Sequence, residues 1–138
     1  MGESISLLAR IKEEFACEPV DVRTFSPLTL AFIGDCVFDL IIRTVVVERG
    51  NRAANGLHKT KSAIVKAQTQ AEMIEALLPE LTGEEESVYR RGRNAKGIVP
   101  KNADVQTYRK STGLEALVGY LYLKQDKERL NWLLNQIE

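Results

Sequence analysis

Cysteine and long apolar runs are scarce in this sequence, and each scarcity excludes a class of protein. The 138 residues include two cysteines, Cys17 and Cys36, which are too few for a disulfide framework and too far apart for a Cys-x-x-Cys motif. No run approaches the roughly 18 apolar residues of a membrane span, and residues 1–15 are too charged for an export signal. We therefore expect a cytoplasmic protein with reduced thiols and no membrane partner, in which Cys36 packs inside an apolar helix.

Net charge is also absent, because 19 basic residues balance 19 acidic residues. By itself this balance argues against a nucleic-acid-binding protein. The distribution is uneven, however: residues 89–112 carry seven basic side chains and one acid, while the rest of the chain carries 12 basic and 18 acidic ones. Such a segment is typical of a site that binds phosphate groups, although it is also compatible with a plain solvated loop.

Strand patterns are missing as well. No stretch alternates strictly between apolar and polar residues with turn residues at its ends, whereas helical spacing recurs throughout. The length suits one domain. The sequence therefore predicts an all-α fold with a single domain over residues 1–138. The predicted helices cover about residues 4–17, 26–49, 55–78 with a break near 67–69, 83–91 and 104–124, and a last amphipathic helix follows them.

The second predicted helix is the most apolar. Ser26 followed by Pro27 is a strong helix start, because a serine oxygen accepts the first backbone N–H groups and proline fits the first turn. Gly50 provides a stop. Residues 28–42 are apolar almost all round, which predicts a helix buried on most sides at the centre of the fold. In the next helix, Lys66 is expected to face water.

Residues 92–102 combine Gly92, Gly97 and Pro100 with scattered basic side chains and little periodicity. Such a segment predicts a mobile basic loop. The helix before it should begin at a Thr-x-x-Glu capping box at residues 82–85.

Two acids, Asp35 and Glu115, stand inside otherwise apolar predicted helices. An ionised carboxylate removed from water costs several kcal/mol unless a cation or hydrogen bonds compensate, and neither acid has a lysine or arginine nearby on its own helix face. A divalent cation shared by both acids would compensate, since Mg²⁺ binds through one or two carboxylates plus water and phosphate. Ordinary alternatives are an arginine from another element, a capping N–H group, or exposure to solvent. Asp39, one turn after Asp35, is a weaker third candidate for which a structural or solvent-facing role is favoured.

Glycines accompany both acids. Gly34 precedes Asp35, and Gly113 and Gly119 flank Glu115. Glycine inside a helix costs about 1 kcal/mol relative to alanine, so these positions require a reason. A close crossing of the two helices would provide one, and it would also bring the two acids together.

The sequence around the two acids resembles a known family. Residues 30–38, Leu-Ala-Phe-Ile-Gly-Asp-Cys-Val-Phe, resemble the signature helix of ribonuclease III, and residues 115–119, Glu-Ala-Leu-Val-Gly, resemble that family's second acidic motif. The Mini-III subfamily, which consists of catalytic domains without a double-stranded-RNA-binding domain, is more similar still. Its features recur in order over roughly residues 26–130, as Ser26-Pro27-Leu28, Ile33-Gly34-Asp35, Leu57-His58, Ala67 to Ala71, Arg91-Gly92-Arg93-Asn94-Ala95-Lys96, Pro100-Lys101-Asn102, Tyr108-Arg109 and Ser111-Thr112.

Two positions depart from the larger family. Typical ribonuclease III enzymes carry a glutamate one turn before the signature aspartate, where this chain has Ala31, and an aspartate three residues before the second-motif glutamate, where it has Thr112. Mini-III proteins share this loss of acids. The resemblance thus implies two acids per subunit, Asp35 and Glu115, and favours one firmly held metal ion over two.

The resemblance implies a metal-dependent endonuclease that hydrolyses phosphodiester bonds in double-stranded RNA. Asp35 and Glu115 would be its catalytic, metal-binding residues, with Mg²⁺ as the cofactor, for which Mn²⁺ could substitute. The single histidine, His58, is expected to contact RNA or to pack at a helix start rather than to act as a general base. The expected RNA-binding residues are basic or polar: Arg91, Arg93, Asn94, Lys96, Lys101, His58, Lys59 and Lys61.

The resemblance also implies partners. Cutting both strands requires paired active sites, so we expect a symmetric homodimer joined through the signature helix. Phe32, Cys36 and Phe38 would then face the partner subunit, although core packing explains each of them equally well. The expected substrate is precursor 23S ribosomal RNA of bacteria, with a ribosomal protein as a further candidate partner. The rival functions are a ribonuclease III-like module that binds RNA without cutting it, and a purely structural helical dimer.

Overall fold

The computed structural model describes residues 7–50 and 63–136. Within these ranges the chain forms six α-helices and two short 3₁₀ turns, without a strand. The all-α fold is therefore confirmed. None of the described helices is long and apolar enough to cross a membrane. The helices are α1 (Leu7–Glu14), α2 (Pro27–Arg49), α3 (Ala63–Leu77), α4 (Gly83–Asn94), α5 (Val105–Lys124) and α6 (Lys127–Leu134), and the 3₁₀ turns are Val22–Thr24 and Leu78–Glu80.

Helices α2 and α5 cross at the centre of the molecule with their backbones in contact. A Cβ atom on Gly34 of α2 would collide with the carbonyl oxygen of Glu115. A Cβ atom on Gly119 of α5 would collide with the carbonyl oxygen of Leu30. Only glycine allows so close an approach at these two positions, so the close crossing predicted from the sequence is confirmed.

Local capping explains where α2 and α4 begin. The side-chain oxygen of Ser26 accepts a hydrogen bond from the N–H of Thr29 at 3.2 Å, and Gly50 follows the last residue of α2. Thr82 and Glu85 form the reciprocal capping box, in which each side chain accepts a hydrogen bond from the other residue's backbone N–H. These helix ends lie where the sequence predicts them.

Helix α4 is longer than predicted, because Gly92 has a packing role. The sequence predicts an end near Arg91, but the helix continues to Asn94. Gly92 is buried, and a Cβ atom there would lie 2.8 Å from the Cβ of Ala116. This glycine therefore lets α4 approach α5, and the basic loop begins only after α4, at Ala95.

The hydrophobic core is arranged around α5, which contacts α2, α3, α4 and α6. Leu114, Leu117 and Val118 of α5 are fully buried there. Helix α3 runs without the predicted break near residues 67–69, and the buried Ala71 lies on the face that packs inward. The central element of the fold is thus α5 together with one face of α2.

The opposite face of α2 does not reach this core. Phe32 is 82% exposed and Leu40 is 55% exposed, and Cys36 between them is exposed, whereas Phe38 is buried. The predictions that α2 is buried on most sides and that Cys36 is packed are therefore wrong for the single chain. The reason is that the apolar residues of α2 point in two directions, and only one of them meets α5.

Helix α1 ends earlier and is less buried than its pattern predicts. It ends at Glu14, before the left-handed Ala16, which has a φ of 50°. Leu8 is buried, but Ile11 and Phe15 are 39% and 76% exposed. Helical spacing identified the apolar face of α1 without showing whether this chain covers it.

Candidate active site

The crossing of α2 and α5 places the two predicted catalytic acids beside each other. Asp35 follows Gly34 on α2, and Gly34 lies against the backbone of Glu115 on α5. The Nζ of Lys66 lies 2.5 Å from Asp35 Oδ1 and 3.7 Å from Glu115 Oε2, so the two carboxylates share one cation. The expected meeting of the two acids is therefore present in the fold.

The prediction that Lys66 faces water is wrong. Its side chain is 24% exposed, and its ammonium also binds Asp39 Oδ1 at 3.1 Å. Helix α3 packs against α5 and turns Lys66 towards the acids, which the spacing within α3 alone does not reveal. Of the alternatives left open by the sequence, a cation from another element is the one present, although it is a lysine. Asp39 has the structural role that was favoured for it.

Gln70, one turn after Lys66 on α3, also contacts the site. Its Nε2 donates a hydrogen bond to Glu115 Oε2 at 3.4 Å, and the residue is 1% exposed. Within the described part of the chain, Gln70 Oε1 is a buried side-chain atom that lacks a hydrogen-bond partner. Neither Lys66 nor Gln70 is among the site residues predicted from the sequence. A signal was present, since Gln70 lies in the segment from Ala67 to Ala71 and i,i+4 spacing places it on the same face as Lys66.

Burial and mutual proximity separate the acidities of the two acids. Burial, followed by the charge and hydrogen bond of Asp35, raises the pKa of Glu115 to about 8. Burial also acts to raise the pKa of Asp35, but hydrogen bonds with Lys66 and Glu115 outweigh it, so that this pKa lies below its ordinary value. Without a metal ion the pair therefore retains one proton near neutral pH, because neighbouring carboxylates resist double ionisation.

The donor set suits one magnesium ion better than a closed metal cage. Across residues 7–50 and 63–136, no three His, Cys, Asp or Glu side chains are grouped to hold a metal. Asp35 and Glu115 offer two carboxylates, and Mg²⁺ commonly binds proteins through one or two carboxylates while keeping several waters. The unpaired Gln70 Oε1 belongs to the amide that contacts Glu115 and is a suitable acceptor for such a water. The residues present therefore fit a hydrated Mg²⁺ ion.

The two acids open into a cleft of about 340 Å³ between α2, α5 and the loop after α4. Its apolar wall includes Phe32 and Ile98, which are 82% and 92% exposed. Ala31 and Thr112, where the larger family has additional acids, line the same cleft. The hydroxyl of Thr112 donates a hydrogen bond to the carbonyl oxygen of Tyr108 at 3.1 Å. The two departures from the family pattern thus lie at the site itself and make it less acidic.

The predicted RNA-binding residues that the structure describes neighbour cleft-lining residues in the chain, but none of them lines the cleft itself. Arg91, Arg93 and Asn94 lie in the last turn of α4, and Lys96 and Lys101 lie in the loop that lines the cleft. All of these side chains are exposed except that of Arg93, which is half-buried. The remaining predicted contacts lie outside the described residues: His58, Lys59 and Lys61.

Two further basic residues of the charged segment differ in what they face. Arg109 is exposed and lines the cleft, although it is not among the predicted contacts. Lys110 pairs instead with Glu75 of α3. The helical phase of α5 therefore directs one of these neighbouring charges into the cleft and the other away from it.

Comparison with known proteins agrees with this geometry. The ribonuclease III domain family model matches residues 28–126. A Mini-ribonuclease 3 from Thermoanaerobacter sp. (strain X514) is 49% identical over 114 residues, covering 82% of this chain and 80% of that protein. Another, from Desulfitobacterium hafniense, is 44% identical over 120 residues, covering 87% of this chain and 76% of that protein. The crystal structure of a protein from Fusobacterium nucleatum is similar with a TM-score of 0.73 at 31% identity, covering 85% of this chain and 94% of that one. The chain therefore belongs to the ribonuclease III family of endoribonucleases, in its Mini-ribonuclease 3 branch.

Proposed function

We propose that this chain is a divalent-metal-dependent enzyme that cuts double-stranded RNA as a homodimer. The observation that carries the proposal is the meeting of Asp35 and Glu115 in one cleft. Arg109 in that cleft, together with the basic residues next to its lining, provides the means to hold a polyanionic substrate over the acids. Membership in the ribonuclease III family makes hydrolysis of an RNA phosphodiester the natural chemistry for this arrangement.

Asp35 and Glu115 would hold Mg²⁺, for which Mn²⁺ could substitute. A bound divalent ion would polarise the scissile phosphate of the RNA and lower the pKa of the water that attacks phosphorus. The chain holds both carboxylates on rigid helices whose backbones touch at Gly34, and Gln70 orients Glu115 by its hydrogen bond. No histidine or serine nucleophile is required, and the products would carry 5′-phosphate and 3′-hydroxyl ends.

RNA affinity would come mainly from contacts with phosphates at the rim of the cleft. Phosphate contacts provide most sequence-independent binding, and A-form RNA is recognised chiefly by its shape and 2′-hydroxyls. Arg91, Lys96 and Lys101 are exposed on the segment that contributes Gly92, Ala95 and Gly97 to the cleft, and Arg109 lines the cleft itself. Two of these cations also contact the protein: the guanidinium of Arg93 lies 5.7 Å from the centre of the Tyr89 ring, and Arg91 donates a hydrogen bond to the carbonyl oxygen of Phe25 at 3.2 Å.

The uncovered face of α2 supports the homodimer. Phe32, Leu40 and Val47 are 82%, 55% and 58% exposed, and with Cys36 they lie along one outward side of the helix. An exposed apolar face of this kind commonly marks a protein–protein contact. A second copy of the same chain would cover it by twofold symmetry and would supply the second active site that cleavage of both strands needs.

The biological substrate that fits the resemblance is precursor 23S ribosomal RNA. A ribosomal protein on that RNA would be a further partner, and the place of action would be the cytoplasm. The absence of a membrane-spanning helix among the described residues is compatible with this assignment. Support for this role comes from the resemblance of the sequence to the Mini-III subfamily and not from the geometry of the site.

Asp35→Asn is expected to reduce cleavage more than about 100-fold, because it removes a charged metal ligand while keeping the size of the side chain. The measurement is the cleavage rate of a long RNA duplex with Mg²⁺, with circular dichroism and duplex binding as checks on fold and affinity. Glu86→Gln is the matched control, since Glu86 pairs with Arg90 on the surface of α4. Wild-type rates in Asp35→Asn would rule out the assigned role.

The same cleavage assay distinguishes the proposed nuclease from the rival function, an RNA-binding module that does not cut. Intact duplex in stable complex with the wild-type protein and Mg²⁺ would favour the rival. The presence of both acids at the cleft argues against it, because a site that only binds RNA would gain affinity by losing negative charge there.

A further inference from the structure

Lys66 lies on α3, but the ion pairs of its ammonium are with acids of α2 and α5. Its ammonium lies within 4 Å of three carboxylates, those of Asp35, Asp39 and Glu115, which come from two other helices. Its side chain is 24% exposed, so the cation is largely enclosed by the acids it contacts. The position between Asp35 and Glu115 is the one that a shared divalent ion would need.

We propose that Lys66 is a positioning residue that acts as a built-in substitute for the metal ion: it occupies the cation position between Asp35 and Glu115 until a divalent ion displaces it. This inference rests on the proposed metal-dependent function and adds a competition to it. Two acids held together on crossing helices resist double ionisation, and in the metal-free protein the ammonium of Lys66 lies between them as the compensating cation.

Asp39 gives the displaced ammonium a place to go. It lies one helical turn after Asp35, and its Oδ1 already accepts a hydrogen bond from Lys66 at 3.1 Å. The flexible four-carbon side chain of Lys66 can therefore leave Asp35 and Glu115 while keeping an ion pair with Asp39. Because the side chains of Asp39 and Lys66 are 34% and 24% exposed, this pair would not be left fully desolvated.

Gln70 keeps Glu115 in place during such an exchange. Its hydrogen bond to Glu115 Oε2 comes from the same face of α3 as Lys66, but Gln70 carries no charge. A divalent ion would therefore displace Lys66 without disturbing the amide that orients Glu115. The face of α3 at residues 66 and 70 thus combines a replaceable contact with a permanent one.

The test is the affinity for Mn²⁺, measured by calorimetry without RNA, in wild type, Lys66→Met and Lys66→Arg. Lys66→Met removes the competing cation at similar volume and is expected to bind Mn²⁺ about tenfold more tightly or better, since a like charge within about 4 Å opposes the ion. Lys66→Arg keeps a cation that can bridge two carboxylates and is expected to bind Mn²⁺ more weakly than wild type. Lys110→Met is the matched control, because Lys110 pairs with Glu75 outside the cleft.

Thermal unfolding of the same proteins separates this role from a merely structural one. Metal-free Lys66→Met is expected to melt below wild type, and Mn²⁺ is expected to raise its melting temperature by more than it raises that of wild type. Equal or weaker Mn²⁺ binding by Lys66→Met would overturn the inference. If that variant does not fold, Lys66→Arg decides, and an affinity equal to wild type would overturn the inference. Wild-type protein that binds no Mn²⁺ would instead refute the metal dependence in the proposed function.

Discussion

Two residues of α3 hold Asp35 and Glu115 in place: the cation Lys66 and the neutral amide Gln70. Lys66 lies 2.5 Å from Asp35, and Gln70 donates to Glu115 at 3.4 Å. The two acids were recognisable from the sequence because they interrupt apolar helices. Their partners were not, because 31 positions separate Lys66 from Asp35 and 45 separate Gln70 from Glu115. Sequence periodicity reports which face a residue occupies and says nothing about the element that the face meets.

Gln70→Leu is expected to lower the cleavage rate by about 10- to 100-fold, the usual effect of losing a residue that orients a metal ligand. The change removes the only hydrogen bond that α3 gives to Glu115 among the described contacts, and it replaces the amide by an apolar side chain of similar size. The readout is the cleavage rate at saturating duplex RNA, with the affinity for RNA measured in parallel. Gln68→Leu, at an exposed position on the same helix, is the control. Equal rates in the two variants would contradict the role of Gln70.

Among the helix pairs, the contact between α2 and α5 decides the geometry of the site. Gly34 and Gly119 let the two backbones touch, which a side chain at either position would prevent. A second pair, α4 with α6, is joined by Arg129, whose guanidinium donates two hydrogen bonds of 2.7 Å to the buried carboxylate of Glu85. The sequence predicted the close crossing and the capping role of Glu85, but not the arginine that reaches Glu85 from α6.

Gly34→Ala is expected to destabilise the fold by about 1–3 kcal/mol or more, because the added methyl group would force α2 away from the carbonyl of Glu115. Chemical denaturation measures the loss, and the cleavage rate should fall with it, since Asp35 and Glu115 would separate. Gly83→Ala is the matched control: nothing lies within 4 Å of its new methyl group, so no loss is expected. A Gly34→Ala protein as stable as Gly83→Ala would show that the crossing tolerates a wider spacing.

Glu85→Gln is expected to destabilise the protein at pH 7 by about 1.5–3 kcal/mol, since hydrogen bonds to charged groups contribute roughly that much. Burial acts to raise the pKa of Glu85, but the hydrogen bonds with Arg129 and Thr82 outweigh it, so the folded-state pKa lies below the ordinary 4.5. An acid whose pKa is lowered by folding stabilises above its unfolded-state pKa and loses that contribution as the pH falls through the folded-state value.

The difference in unfolding free energy between wild type and Glu85→Gln should therefore be full above about pH 5 and should shrink below 4.5. Denaturation at a series of pH values measures it. Glu86→Gln, on the exposed side of the same helix, should show little difference at any pH. If the difference in unfolding free energy between wild type and Glu85→Gln does not depend on pH, the destabilisation has a cause other than the lost charge of Glu85.

The molecule as a whole leaves some of its apolar surface uncovered by its own chain. The apolar face of α2 that points away from α5 carries Leu40 and Val47, and Phe15, just after the end of α1, is 76% exposed. The apolar sequence of α2 predicted burial on most sides and left open whether the core or a partner covers Phe32 and Cys36, and the structure shows that one chain leaves both exposed. The proposed homodimer explains their exposure.

Leu40→Glu is expected to convert the dimer into a monomer, because the carboxylate would be desolvated at the centre of an apolar contact. Light scattering after size exclusion measures the mass, and cleavage of both strands should fall with the fraction of dimer. Val20→Glu is the control, since Val20 is 56% exposed, as Leu40 is 55% exposed, but it lies before α2 and outside the proposed contact. A wild-type protein that is monomeric at working concentration, or a Leu40→Glu variant that stays dimeric, would contradict this interface.

The sequence by itself determined the helical class, the capped starts of α2 and α4, the glycines of the crossing and the two acids of the site. These features are local, since hydrophobic spacing, capping residues and glycine each act within a few residues of the chain. Only the tertiary structure decided that Lys66 and Gln70 complete the site, that Gly92 belongs to a helix contact, and that one face of α2 stays uncovered. The physical reason is that packing joins elements far apart in the chain, and the direction in which a side chain points depends on the neighbour that its helix meets.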